Sequence, residues 1–286
     1  MNQNTIDLLL TLLPRNKTIE SAVAGLFFYC ADQPNKAVSY IQEPSICIVL
    51  QGEREIYLGA ECQRFSNSHL MFCPVNIPLS MHIKHASIQN PVIVLSMKLN
   101  LSMIREVLAQ IPTHHSITSG HLGIKWQLDD AIMAAFDRLI GLLDYPNDIE
   151  FLASLIQQEI YYRLLLGEQG HKLRQLVVED SHTHRIAQAT DWIKSHLNEP
   201  IMVEHLASRC GMSVSGFHQH FKDITQLSPL QYQKSLRLME ARRLIKIQGQ
   251  TAQIAQIAMQ VGYESPSQFS REYKRLFGLS PSNEMR

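Results

Sequence analysis

Residues 206–229 read LASRCGMSVSGFHQHFKDITQLSP, and residues 257–281 read IAMQVGYESPSQFSREYKRLFGLSP. The second stretch is a copy of the first. Leu206-Ala207 aligns with Ile257-Ala258 and Gly211 with Gly262, all at an offset of 51 residues. After one inserted residue the offset becomes 52. Ser213, Ser215, Phe217, Phe221-Lys222 and Leu227-Ser228-Pro229 then align with Ser265, Ser267, Phe269, Tyr273-Lys274 and Leu279-Ser280-Pro281. So many coincidences at a nearly fixed spacing mark one supersecondary unit used twice.

Each copy has the parts of a helix-turn-helix. A short helix (203–209, then 252–260) ends at a glycine able to adopt the left-handed conformation of a tight exit. Ser213 and Ser265 stand where an N-cap would start the second helix. Phe217 and Phe221, like Phe269 and Tyr273, are four apart and point to one packing face. The opposite face carries Ser215, His218, Gln219 and Lys222 in the first copy, and Ser267, Gln268, Arg271, Lys274 and Arg275 in the second. These hydrogen-bonding and cationic side chains suit base edges and phosphates. Glu272 is the single acid near the second set, whereas an ordinary solvated face mixes Glu with Lys. Pro229 to Ile247 reads as a long connecting helix. Tyr232, Leu236, Met239, Leu244 and Ile245 would form its buried stripe, and Arg237, Arg242 and Arg243 its charged side. Two reading helices on one connector would enter successive major-groove segments about 34 Å apart.

Region 184–286 resembles the AraC/XylS family of bacterial transcription regulators. The likeness rests on Leu206-Ala207 with Gly211-Met212-Ser213, Phe221-Lys222 with Ser228-Pro229, and Arg237 leading to Glu240-Ala241-Arg242-Arg243-Leu244. Val261-Gly262-Tyr263, Ser267-Gln268-Phe269-Ser270-Arg271 and Phe277-Gly278 with Pro281 complete it. The resemblance implies a promoter or operator of double-stranded DNA as partner. Its bases would be read by Ser215, His218 and Gln219 from the first unit and by Ser267, Gln268 and Arg271 from the second. Lys222, Lys274 and Arg275 are left for phosphates. Two departures stand out: Gln219 occupies a position where arginine is frequent, and Met202 one where a Ser, Thr or Asp cap is usual. A homodimer is expected, and RNA polymerase is a further partner if the protein activates.

Toward the N-terminus the periodicity changes. Between Ala22 and Leu99 short β-branched runs (Ser45–Leu50 before Gln51-Gly52, Glu55–Leu58 before Gly59, Val92–Met97 after Asn90-Pro91) read as strands of a small barrel or sandwich. Leu128, Ile132, Ala135, Leu139 and Leu142 then recur at helical intervals up to Tyr145-Pro146. Asp148 is placed to cap a second helix whose Phe151, Leu155, Ile156 and Ile160 fall on one side. Such a hairpin, at about 126–166, would cover the barrel or join two chains. Glu43-Pro44-Ser45, Val49-Leu50-Gln51-Gly52 and Tyr57-Leu58-Gly59 give this half a weaker likeness to the cupin-like sensor region of one AraC subgroup, which implies a pocket for an unidentified small-molecule effector. The expected fold class is therefore α+β. A cupin-like sensing and dimerisation domain spans 1–170, a linker 171–182, and an all-α tandem helix-turn-helix domain 183–286.

Charge and cysteine usage fit this division. The 286 residues carry no formal net charge, yet residues 181–286 hold 13 Lys+Arg against 8 Asp+Glu and the rest is correspondingly acidic. That asymmetry suits a basic nucleic-acid module on an acidic partner domain. Five cysteines without a C-x-x-C pair argue against a disulfide framework or structural zinc, and fit the reduced cytoplasm. No segment reads as a signal peptide or a membrane span, so no membrane partner is expected. Cys47 and Cys73, in or beside strands, would line the barrel interior as small buried residues. They are also the candidates for effector contact, where a thiol sensing an electrophile or oxidant would need a lowered pKa and access. His69, His82 and His85 lack the His-x-His spacing of a metal-binding cupin. No cofactor, no metal and no catalytic constellation is expected, and the protein reads as a non-enzyme. The competing reading, a metal-dependent cupin enzyme with an attached DNA-binding domain, would need a metal or a catalytic group within residues 20–100.

Overall fold

The computed structural model describes residues 2–59, 61–112, 124–168, 170–178 and 181–285. Contacts divide it into two compact units. One comprises Met1–Val38, Glu43–Val75 and Ser80–His184; the other comprises Arg185–Arg286 with the short segments Ser39–Gln42 and Asn76–Leu79.

The N-terminal part of the chain opens with helix α1 (Gln3–Leu12), capped by Asn2. Among the described residues it continues with ten strands in two sheets, of which Ser39–Gln42 and Ile77–Leu79 group with the second unit, and with four further α-helices. In chain order the strands are β1 (Thr18–Glu20), β2 (Leu26–Ala31), β3 (Val38–Gln42), β4 (Ser45–Gln51) and β5 (Glu53–Leu58). They continue with β6 (Glu61–Ser66), β7 (His69–Cys73), β8 (Ile77–His82), β9 (Val92–Lys98) and β10 (Lys125–Gln127). One sheet has the order β1-β2-β9-β4-β7-β10 and the other β3-β8-β5-β6. Strand β4 is a continuous apolar run because it lies mid-sheet between β9 and β7 and is buried from Ser45 to Leu50. In β5, Arg54, Ile56 and Leu58 share one inward face, two residues apart, while Glu55 between them is buried as well.

Helix α2 (Leu101–Gln110) begins at Asn100, whose side chain accepts from the Met103 amide. Helix α3 (Asp130–Gly141) is capped by Asp129 and buries Ile132, Ala135, Phe136, Leu139 and Ile140. A 3-10 turn over Leu142–Asp144 leads to α4 (Pro146–Leu166), which packs on α3. Pro146 sits in the first turn of α4, where its missing N–H is no loss. Asp148 therefore lies inside that turn and is not the cap. The face of α4 also differs from the expected one. Ala153, Ile160, Tyr161, Leu164 and Leu165 are buried, while Phe151 and Leu155 are exposed. The Tyr161 phenol donates to the Lys98 carbonyl at 3.1 Å and accepts from the Asn100 amide at 3.0 Å, tying α4 to the junction of β9 and α2. Its burial pushes the phenol pKa up to about 12.

Part of the segment expected as a linker, 171–182, is helical: α5 (Gly170–Val177) buries Leu173, Leu176 and Val177. That i, i+3, i+4 spacing gives even a short polar segment one apolar face. Residues 179–180 of the expected linker lie outside the described residues.

The C-terminal part of the chain is helical: α6 (His182–Ser195), α7 (Val203–Arg209), α8 (Val214–Thr225), α9 (Pro229–Gln248), α10 (Ile254–Gln260), α11 (Pro266–Phe277) and α12 (Pro281–Glu284). Helix α9 starts at a capping box, with Ser228 accepting from the Gln231 amide and Gln231 Oε1 accepting from the Ser228 amide. It packs against α8 on one side of the repeat and against α10, α11 and α12 on the other.

Candidate nucleic-acid interface

The two copies of the repeat fold alike, and the aligned residues show why. Gly211 and Gly262 have φ of +60° and +90° and exit α7 and α10 in the left-handed region. Their followers close the turn: Met212 N donates to Ala207 O and Tyr263 N to Ala258 O, each at 2.9 Å. Ser213 and Ser265 then cap the next helices, accepting from the amides of Gly216 at 3.2 Å and Gln268 at 3.3 Å. The Phe217–Phe221 and Phe269–Tyr273 ring centroids are both 5.5 Å apart, and all four rings are buried. Each second helix is thereby fixed by its aromatic face. Met202, at the N-cap position of α7, makes no side-chain capping bond.

Packing the aromatic face turns the other face outward. Ser215, His218, Gln219 and Lys222 are exposed along α8, as are Ser267, Gln268, Arg271, Lys274 and Arg275 along α11. Every residue expected to read bases or hold phosphates is therefore solvent-accessible on one of two matching helices. Two of the base-reading candidates are also oriented from within their own helix. Gln219 Nε2 donates to Asp223 Oδ1 at 2.8 Å, and Gln268 Nε2 to Glu272 Oε1 at 3.3 Å. Glu272 further accepts from Lys234 of α9 at 2.9 Å and from the Tyr263 phenol at 2.8 Å. It is no stray acid on a basic face but an internal clasp.

The connecting helix also departs from the simple division into apolar and charged sides. Arg237 is half-buried. Its guanidinium donates to the carbonyls of Leu197, Gly262 and Glu199, the last two at 2.8 and 2.9 Å. It links the segment before the first helix-turn-helix to the turn of the second. Arg242 forms a forked pair with Glu284 Oε1 at 3.0 and 2.8 Å and lies over the Phe277 ring, while Arg243 pairs with Glu240 on the surface. Sequence reasoning missed the role of Arg237, because a side chain that bonds only to backbone leaves no partner residue type to recognise.

In the first unit, Cys47 and Cys73 are both buried. The Cys47 thiol donates to Ser96 Oγ at 3.3 Å. Burial pushes the Cys73 thiol well up, with the neighbouring Cys47 adding to the shift and the Arg54 guanidinium opposing it. His69 Nδ1 lies within hydrogen-bond distance of Ser66 and Ser68, and His82 lies 4.0 Å from Glu55. Among the described residues no three His, Cys, Asp or Glu side chains come together as a metal site. His114 and His115 lie outside those residues. No described helix is long and apolar enough to cross a membrane.

Two helix-turn-helix units with polar outer faces, joined by one rigid helix and accompanied by an antiparallel β domain, define a class of DNA-binding regulator. The model of the AraC-type transcriptional regulator N-terminus matches residues 22–172, and that of a helix-turn-helix domain matches residues 206–286. The chain belongs to the AraC-type transcriptional regulators. Among curated relatives it is 27% identical over 164 residues to the HTH-type transcriptional activator RhaS of Escherichia fergusonii, covering 57% of this chain and 58% of that one. It is 25% identical to RhaS of Salmonella paratyphi A, over 57% of each. The chain thus spans under two thirds of the length of these relatives. Among solved structures, ToxT of Vibrio cholerae O395 has a TM-score of 0.52 at 15% identity, covering 91% of this chain and 96% of that one. ToxT of strain SCE256 with a bound unsaturated fatty acid has a TM-score of 0.54 at 12% identity, covering 93% and 97%. At these identities the likeness speaks for the fold alone.

Proposed function

We propose that this protein is a sequence-specific DNA-binding transcription regulator whose N-terminal β domain takes a small-molecule effector. The observation that carries the reading is the outward display of Ser215, His218 and Gln219 on α8 and of Ser267, Gln268 and Arg271 on α11, with both helices held on α9. Base-edge donors and acceptors on two matching helices suit two segments of major groove. Lys222, Lys274 and Arg275 would neutralise phosphates and set the register. The effector half of the reading draws on family membership and on the ToxT structure that holds an unsaturated fatty acid.

A homodimer belongs to the same proposal. Helix α4 exposes Phe151, Leu155, Tyr162 and Leu166, spaced so that they follow one stripe of the helix. A second copy of the chain would cover that stripe and double the length of DNA contacted. As an activator the protein would also touch RNA polymerase.

Fluorescence anisotropy of the full chain, with its own upstream DNA and a scrambled duplex at about physiological salt, tests the DNA reading. A preference for the genuine site of about a thousandfold or more is expected. Equal, weak binding to both duplexes would reduce the interaction to electrostatics and overturn it.

A further inference from the structure

Arg54 stands on the buried face of β5 and is 4% exposed. On β6 its register partner is Phe65, and Ile56, two residues along the same face, lies opposite Gln63. On β8, Met81 stands opposite Ile56, and Arg54 Nη1 approaches its sulfur at 3.7 Å, a weak contact. The other two nitrogens, Nε and Nη2, are buried and have no hydrogen-bond partner among the described residues. Among the described residues no carboxylate pairs with this guanidinium. The adjacent Glu55 is engaged with Lys84 at 2.7 Å, the Tyr57 phenol at 2.8 Å and Arg64 at 3.7 Å.

A guanidinium stays charged at any physiological pH, and a buried charge without a counter-charge is strongly unfavourable. Proteins keep such groups where something else supplies the anion. The unpartnered atoms matter too. Nε–H and the neighbouring N–H of Nη2 form the edge of arginine that receives both oxygens of a carboxylate side-on. Gln63 lies diagonally across the β5–β6 pair, roughly 7–8 Å away by strand geometry, and its Oε1 is also buried and, among the described residues, unpartnered. Turned over, that amide would present a second donor to an anion. Ile56, Phe65 and Met81, placed around Arg54 by strand register, are apolar and buried. The guanidinium is also felt in the other sheet, where it opposes the effect of burial on Cys73 of β7.

The geometry points to an oxyanion site inside the N-terminal β domain, in which Arg54 receives the carboxylate of a small organic acid whose apolar body lies among Ile56, Phe65 and Met81. This rests on the reading of that domain as an effector domain, and adds the chemical class of the effector and its anchoring residue.

The test is calorimetric titration of the full-length protein with hexanoate and benzoate, with hexanamide and benzamide as uncharged matches and inorganic phosphate as an anion lacking an apolar body. Saturable binding of at least one acid, and none of the amides or of phosphate, is expected. Arg54→Met should weaken acid binding by about tenfold to a hundredfold, with a smaller loss in Arg54→Lys, which keeps the charge but not the fork. Without ligand, R54M should unfold at the same temperature as the wild type or higher, because it replaces an unpaired buried charge with an apolar chain. A marked fall in that temperature would make Arg54 part of the fold and overturn the proposal. So would undiminished acid binding by R54M, equal binding of acid and amide, a preference for phosphate, or no acid binding by the wild type. Promoter affinity measured on the same samples separates the two readings. An acid bound through Arg54 that leaves DNA affinity unchanged keeps the site and sinks the effector reading. A DNA response to some other small molecule, intact in R54M, keeps the effector reading and removes the site.

Discussion

Tyr263 donates its phenol hydrogen to Oε2 of Glu272 at 2.8 Å, closing the turn that follows α10 onto helix α11. Lys234 reaches the other oxygen from α9 at 2.9 Å, and Gln268 reaches it from one turn earlier in α11. Burial works to raise the carboxyl pKa, but the hydrogen bonds from Lys234, Tyr263 and Gln268 outweigh it and hold it below its ordinary value. A depressed folded-state pKa means stabilisation that is present at neutral pH and fades as pH falls below about 4. Glu272→Gln is expected to be less stable than the wild type at neutral pH and to lose less on acidification. Urea unfolding at neutral and acid pH checks this; parallel pH profiles would show that the clasp contributes no pH-dependent stability.

Arg271 and Lys274 lie on the same exposed face of α11 but have different expected roles. A side chain forked onto a base edge discriminates by about 1–3 kcal/mol, so Arg271→Ala should flatten the preference at one position of the site. Lys274→Ala should weaken binding to all sequences alike and reduce the salt dependence by roughly one phosphate. Competition with singly substituted duplexes, repeated over a salt series, distinguishes them. Uniform loss for R271A would remove it from base reading.

Arg237 satisfies the carbonyls of Leu197, Glu199 and Gly262 at once. Arg237→Met keeps much of the stem and removes one donor from each carbonyl; Gln233 Nε2 still reaches those of Leu197 and Glu199, at 3.4 and 2.6 Å, but not that of Gly262. A loss of about 2–3 kcal/mol is expected from thermal or urea unfolding. The adjoining Gly262→Ala should also be costly, since a Cβ there would come within 2.7 Å of the Arg237 guanidinium and 2.8 Å of the Asn198 backbone.

The two units end differently. Helix α11 finishes at Gly278 with φ +79°, whereas the aligned position after α8 is Gln226 with φ +63°. A left-handed residue with a Cβ costs about 1–2 kcal/mol, partly offset here by the bond from Gln226 Nε2 to the Asp223 carbonyl. Gln226→Gly should therefore stabilise the protein by about 0.5–1 kcal/mol, read as a rise in Tm. A fall would show that the side-chain bond outweighs the strain.

The exposed stripe of α4 predicts association. Light scattering should show the mass of two chains for the wild type and of one for a Phe151→Asp, Leu155→Asp double variant. Circular dichroism should be unchanged, because neither residue is buried within the chain. A monomeric wild type would dispose of this interface.

The helix-turn-helix pair was open to reading because each aligned residue serves a single physical purpose, whether a glycine to exit, a serine to cap or two rings to pack. The strand-rich character of the first unit was equally open, since β4 and β9 are long apolar runs. The hairpin helix α4 shows where such reading ends. It is apolar on more than one side, so periodicity finds a stripe without saying which stripe is buried, and Phe151 and Leu155 face outward. Helix α5 was hidden by polar flanks even though Leu173, Leu176 and Val177 mark its face. Arg54 lies in the run Glu53-Arg54-Glu55, which by composition looks solvated; only strand alternation, with Ile56 and Leu58 following, turns it inward.

The bracing by Arg237 has a consequence for the DNA partner. If α8 and α11 read DNA as proposed, pinning the second turn to the chain before the first helix-turn-helix would hold the two helices like the jaws of a caliper. Such a caliper would pass the burden of fitting to the duplex, which would bend or twist until both grooves met their helices. The ease of that deformation depends on base steps that no side chain touches. Operators with identical contacted bases should then differ in affinity according to the stiffness of the spacer between them.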